Sequence, residues 1–302
     1  MSDSRVFGVP RRTPGVLRRA RLEQRLDTDT AVTTISAGAG FGKTTLLASW
    51  ASGHTGDGLW VDGATAGSDR VSFWRDVFAL AAEAAGAPSG PDFEDDGVAA
   101  AVTAFARGLT EPFVLVLDNA QDVDLDAIGP DLVSFVRFAT RSRLIVADRR
   151  RRFRPTEIAS DVHEECLTGE DLRLTPGETA DIVSSLRGAA RGRVPADEVH
   201  RSASGVVGLV RRIAGDAVTE AGRSAIDELV DSWRTDLARV VPAAVGPQGS
   251  GRGTIAHQPL MVAALGSTTR AENVTVSALP QTAADLVLET AADRGLGWWD
   301  DA

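Results

Sequence analysis

The stretch Ala37-Gly38-Ala39-Gly40-Phe41-Gly42-Lys43-Thr44-Thr45 gathers the residue types that can hold a chain of phosphates. Glycines let the backbone turn tightly and bring its N–H groups to anionic oxygens. A following helix adds the partial positive charge of its N-terminus. Lys43 supplies a compact ammonium for the outer phosphates, and the Thr44 hydroxyl suits Mg²⁺. Composition marks the lysine out. Of 32 basic residues, 31 are arginine, and Lys43 is the single lysine of the chain. A genome that drifts lysine codons toward arginine leaves lysine only where a planar fork fails. The first position of the loop is Ala37, where the usual pattern has glycine.

A phosphate loop needs an acidic metal partner at the end of a neighbouring strand. Phe113 to Leu117 is a continuous apolar run and ends in Asp118. Such a run fits a strand buried on both faces, and Asp118 then joins Thr44 in holding Mg²⁺. Asn119 stands where many hydrolysing proteins carry a second carboxylate. An asparagine orients a water but cannot take its proton. Asp122 and Asp124 read as caps or solvated residues of the next loop. A third apolar run, Arg143 to Ala147, leads through Asp148 to Arg149, which is placed to neutralise a terminal phosphate. The run Arg149, Arg150, Arg151, Arg152 and Arg154 otherwise has the look of a solvated surface.

The elements that must position these groups alternate in type. Strands are expected near 31–36, 58–62, 113–117 and 143–147, with a further short one near 162–167. Helices are expected near 43–52, 72–86, 97–109 and 128–139. The reading is an α/β P-loop NTPase fold, a parallel sheet covered on both faces with ligand at the carboxyl ends of its strands. From Thr175 the pattern turns helical. Thr175-Pro176-Gly177-Glu178 is a capping box, and helices follow near 176–187, 195–203, 206–219 and 223–240. The expected division is an N-terminal arm over 1–26 and a nucleotide-binding domain over 27–170. A helical lid over 171–243 and a linker over 244–253 follow. The last part, 254–302, is read as an incomplete winged-helix-like tail with a helix near 282–293, ending beside Trp298 and Trp299.

Composition narrows the function classes. The chain has 302 residues, 43% hydrophobic and 25% charged, which is ordinary for a globular protein. Its formal charge of -10 lacks the field of a dedicated nucleic-acid binder, so contact with DNA is not expected. Cys166 is the single cysteine, which excludes an intrachain disulfide and a cysteine-cluster zinc site and suits a reducing cytoplasm. No apolar run approaches the ~20 residues that span a bilayer.

Taken in order, Arg18-Arg19-Ala20-Arg21-Leu22, the Ile35-to-Leu47 loop segment, Leu59-Trp60-Val61-Asp62, Phe73-Trp74, the Asp118 strand and Asp171-Leu172-Arg173-Leu174-Thr175 resemble the nucleotide-binding module of MalT-like LuxR-type transcriptional regulators, which are STAND-class P-loop NTPases. The resemblance spans roughly residues 10–240. It implies a switch driven by ATP or ADP with Mg²⁺. Residues Gly38, Ala39, Gly40, Phe41, Gly42, Lys43, Thr44, Thr45 and Arg19 would bind nucleotide, and Lys43, Asp118, Asn119 and Arg149 would serve slow hydrolysis. It also implies a protein partner or self-association in the active state. Departures are Asn119, the sequence Gly205-Val206-Val207 where the family has Gly-x-Pro, and the lack of sensor and DNA-binding regions in this chain. Two other readings stay open: a small-molecule phosphotransferase, with the arginine run as its lid, and a non-hydrolysing module that holds a structural nucleotide. A GTPase is disfavoured, because its guanine-reading Asn-Lys-x-Asp motif needs a second lysine.

Overall fold

Short β-branched and aliphatic runs dictate the strands. In the computed structural model, residues 6–11, 16–87, 93–186 and 195–215 are described. The strands are β1 (Val6–Phe7), β2 (Val32–Ser36), β3 (Asp57–Asp62), β4 (Phe113–Asp118), β5 (Ser142–Asp148) and β6 (Glu164–Thr168). They form one sheet in the order β1-β3-β4-β5-β2-β6. The pairs β1–β3, β3–β4, β4–β5 and β5–β2 are all parallel. Consecutive positions of β2, β4 and β5 are buried, so both faces of the sheet are covered.

One placement differs from the sequence reading. The strand that ends in Asp118 is not the immediate neighbour of the strand that feeds the phosphate loop. Strand β5 lies between them, with Ser36 opposite Asp148 at the end of its register with β2. Apolar runs of similar length carry no mark of which strand they sit beside, so the sequence leaves this order open.

The described residues pack into two compact units, the first holding residues up to Ser36 and Lys43–Leu167, the second holding Ala37–Gly42 and the described residues from Thr168 on. In the first unit the helices are α1 (Ala20–Leu26), α2 (Lys43–Ala51), α3 (Arg70–Ala84), α4 (Asp95–Gly108), α5 (Leu125–Phe138) and the single turn α6 (Pro155–Ile158). Asp69 caps α3 by accepting from the Ser72 N–H at 3.0 Å, and that bond holds its carboxyl below the usual range. Asp124 caps α5 through the Asp126 and Ala127 N–H groups, which starts that helix three residues earlier than its apolar pattern suggests. The core is aromatic where α3, α4 and α5 meet the sheet. Phe73, Trp74 and Phe135 are fully buried, and the rings of Phe105 and Phe135 stack at 6.0 Å.

Residues 1–26, set apart as an arm in the sequence reading, contribute β1 and α1 to this unit. Leu22 and Leu26 are fully buried. The Arg25 guanidinium donates to Glu165 at 2.7 Å and to the Cys166 carbonyl at 3.1 Å, which fastens α1 to β6. A two-residue strand and a seven-residue helix are too short to show a period.

The second unit contains α7 (Pro176–Leu186), α8 (Ala196–Ala203) and α9 (Val207–Gly215). The capping box forms as read: the Glu178 carboxylate accepts from the Thr175 N–H at 2.8 Å, and the Thr175 hydroxyl accepts from the Glu178 N–H at 3.1 Å. Thr175→Ala is expected to cost about 1 kcal/mol of α7 stability, read as a lower urea midpoint. Ile182, Val183, Val199, Val206, Leu209 and Val210 form the small core of this unit. The helix expected near 223–240, the linker and the tail with Trp298 and Trp299 lie outside the described residues.

Candidate functional site

The carboxyl ends of the inner strands carry the chemistry. Lys43 is the first residue of α2 and is only 9% exposed. Burial pushes its ammonium down to about 8, against the pull of Asp118; Arg149 pushes the same way as burial and Asp148 against it. Asp118 ends β4 and is 1% exposed. Burial raises its pKa, while a hydrogen bond from Thr44, the Asn119 N–H and the charge of Lys43 hold it back; Asp62 adds to the rise. Thr44 and Asp118, the two residues expected to hold Mg²⁺, are thus in contact. The Asp118 Oδ1 atom is buried with no protein hydrogen bond. A hydroxyl beside a carboxylate with a spare buried oxygen fits a hard divalent cation.

The loop between β2 and α2 turns through Gly40 and Gly42, with φ of 83° and 82°. That left-handed region is open to glycine at no steric cost. Inside the second unit, Gly40 accepts a 2.8 Å hydrogen bond from the Gly208 N–H at the start of α9. Gly42 faces Val207, at the position where the sequence departs from Gly-x-Pro.

Asn119 adopts a left-handed conformation, φ 52° and ψ 40°. Its Nδ2 donates to Asp62 Oδ1 at 2.8 Å, and its Oδ1 accepts from Gln121 Nε2 at 3.2 Å. Both ends of the carboxamide are therefore engaged within the protein. Arg149 is half-buried and close enough to influence Lys43. In the arginine run, Arg151 pairs with Glu164 and Arg154 with Glu157. Arg152 reaches inward: its Nε donates to Asp148 Oδ2 at 2.9 Å and its Nη2 to the Ala120 carbonyl at 2.6 Å. Arg19 is buried at the start of α1, only 6% exposed.

Sequence reasoning gave no role to Asp62 or Asp148, and none to Arg152 apart from its run. Asp62 and Asp148 each end a strand, and a strand-terminal acid beside Asp118 was the available signal. Arg152 carries no signal that separates it from its neighbours in the run. Among the described residues no cluster of three or more His, Cys, Asp or Glu side chains could hold a metal ion, and no helix is long and apolar enough to cross a membrane.

A parallel sheet, a glycine-rich loop between β2 and α2, and a carboxylate ending an inner strand define a P-loop NTPase fold of the α/β class. No family model matches the chain, and no curated protein does. Solved structures similar in chain path include a STAND protein with a tetratricopeptide-repeat sensor from Pyrococcus horikoshii, at 13% identity and TM-score 0.49, covering 96% of this chain and 40% of that one. Cdc6p from Pyrobaculum aerophilum matches at 14% identity and TM-score 0.44, covering 94% of this chain and 81% of that one. The RuvB Holliday junction branch migration motor of Thermotoga maritima matches at 11% identity and TM-score 0.38, covering 90% and 83%. The chain thus spans well under half the length of the STAND protein it matches.

Proposed function

We propose that the chain is an ATP/ADP-binding switch of the STAND type, the regulatory NTPase part of a LuxR-type regulator or a stand-alone relative, with slow ATP hydrolysis. The observation that carries this reading is the group Lys43, Thr44 and Asp118 at the carboxyl ends of the strands, with the ammonium and the carboxylate buried and Thr44 hydrogen-bonded to Asp118. A buried ammonium next to a hydroxyl–carboxylate pair suits a triphosphate with its metal. Lys43 holds the phosphate charge, and Thr44 and Asp118 hold Mg²⁺, which when bound draws charge off the terminal phosphates. Arg149 and Arg19 supply further positive charge toward the nucleotide. In the active state the chain binds a second copy or a protein partner. Since the γ-phosphate exists in only one nucleotide state, it and the metal contact made to it would provide the differential contacts that a switch requires.

The test is calorimetry of the purified chain with ATP–Mg²⁺, ADP–Mg²⁺ and GTP–Mg²⁺, with extraction of any nucleotide that copurifies. Binding of the adenine nucleotides and weaker binding of GTP supports the reading; no binding of any of them removes it. The engaged carboxamide of Asn119 favours a second reading, a module that binds nucleotide without hydrolysing it. Phosphate release under saturating ATP–Mg²⁺ separates the two.

A further inference from the structure

We propose that Asp148 is the catalytic carboxylate that takes the proton of the attacking water, in place of the acid that Asn119 lacks; this rests on the nucleotide reading above. Three observations converge on it. First, both ends of the Asn119 carboxamide already hold a protein partner, Asp62 and Gln121, and an amide cannot take a proton from water. Second, β5 lies between the strand of the phosphate loop and the strand of Asp118. Its last residue, Asp148, pairs in register with Ser36, the last residue of β2. Asp148 therefore stands at the edge of the site from which the loop and α2 depart, close enough to Lys43 for its charge to be felt there. Third, Asp118 and Asp148 are the two carboxylates among the described residues with a buried oxygen that has no protein hydrogen bond. Asp148 is 3% exposed.

The division of labour follows from the contacts. Arg152 holds Asp148 Oδ2 and, through the Ala120 carbonyl, ties it to the turn that follows Asp118. Arg152 is thus a positioning residue, and Oδ1 is left to act. In the hydrolytic step a water oxygen bonds to the terminal phosphorus, and its proton passes to Asp148 Oδ1. The bond from that phosphorus to the bridging oxygen breaks, and its electron pair leaves on ADP. The proton later passes to solvent or to inorganic phosphate. The carboxylate does on β5 what a second acid after Asp118 would do on β4.

The test compares the parent chain with Asp148→Asn and, should the amide disturb Arg152, Asp148→Ser. Both variants are expected to bind ATP–Mg²⁺ within about threefold of the parent by calorimetry, while phosphate release falls by about 100-fold or more. Affinity for ADP–Mg²⁺ with aluminium fluoride, which imitates the flat transferring phosphoryl group, is expected to fall about tenfold or more, with ADP–Mg²⁺ alone unchanged. Parental phosphate release in either variant overturns the assignment. So does loss of ATP–Mg²⁺ affinity in both variants, or a parent that binds ATP–Mg²⁺ and releases no phosphate. A parent that fails to bind ATP–Mg²⁺ overturns the nucleotide reading itself, and this inference with it.

Discussion

Lys43→Ala is expected to lower ATP–Mg²⁺ affinity by about 30- to 150-fold, the equivalent of about 2–3 kcal/mol for lost charge-assisted hydrogen bonds to phosphate, while leaving the melting temperature unchanged or slightly higher. The two halves of this expectation come from the same burial. Lys43 is 9% exposed, and desolvation brings its pKa down to about 8. A buried ammonium in a ligand-free chain costs stability, and only part of that cost is offset by Asp118. Alanine is a good helix former and suits the first position of α2. Asp118, whose pKa is already raised by burial, can take up a proton when the ammonium is gone. Lys43→Arg gives little rescue, because a planar fork replaces a compact charge in a packed position. Calorimetry at pH 7 with a parallel thermal melt measures both halves. Unchanged affinity removes the role given to Lys43; lost affinity together with a collapsed melt assigns it to the fold instead.

Where the chain order and the spatial order agree, the sequence was informative. The loop from Ala37 to Thr45 is contiguous, so its glycines, lysine and threonine form one motif that is legible without tertiary information. The Phe113–Asp118 strand was legible because burial on both faces demands an unbroken apolar run. The rest of the site depends on neighbours that no local pattern encodes. Asp148 gains its place only because β5 slots between β2 and β4. Asn119 is drawn off by Asp62, which comes from a different strand and meets it because Asp62 and Asp118 are in register. Arg152 differs from Arg151 by one position, yet one reaches Asp148 and the other Glu164. Periodicity identifies elements; which charged ends meet is decided by strand order and register, and these are properties of the whole sheet.

Arg70→Ala is expected to destabilise the first unit by about 3 kcal/mol, the scale for leaving a buried carboxylate without its partner. Arg70 is the first residue of α3. Its Nε donates to Asp131 Oδ2 at 2.7 Å and its Nη2 to Asp131 Oδ1 at 2.8 Å, a two-pronged pair with a carboxylate that is 3% exposed. The same guanidinium donates through Nη1 to the Asp95 carboxylate at 3.0 Å, at the start of α4. One side chain thus joins α3, α4 and α5 over the aromatic core. The Asp95 contact is exposed and contributes little, so the loss is dominated by Asp131, left buried without its partner. Arg70→Lys recovers only part of the loss, since an ammonium cannot match both carboxylate oxygens in the fork geometry. A melting temperature lower by about 6–12 °C is expected for the alanine variant. Replacing both partners, Arg70→Met with Asp131→Leu, is expected to restore most of it, because no charge is then left in the core. The bonds of Arg70 run to Asp131 and Asp95 and not to Lys43, Thr44 or Asp118, so ATP–Mg²⁺ affinity below the melt is expected to stay at the parental value. A variant set in which affinity falls in step with stability instead makes the helical face part of the binding machinery. If the single and double variants melt alike, the buried pair is not what holds the three helices together.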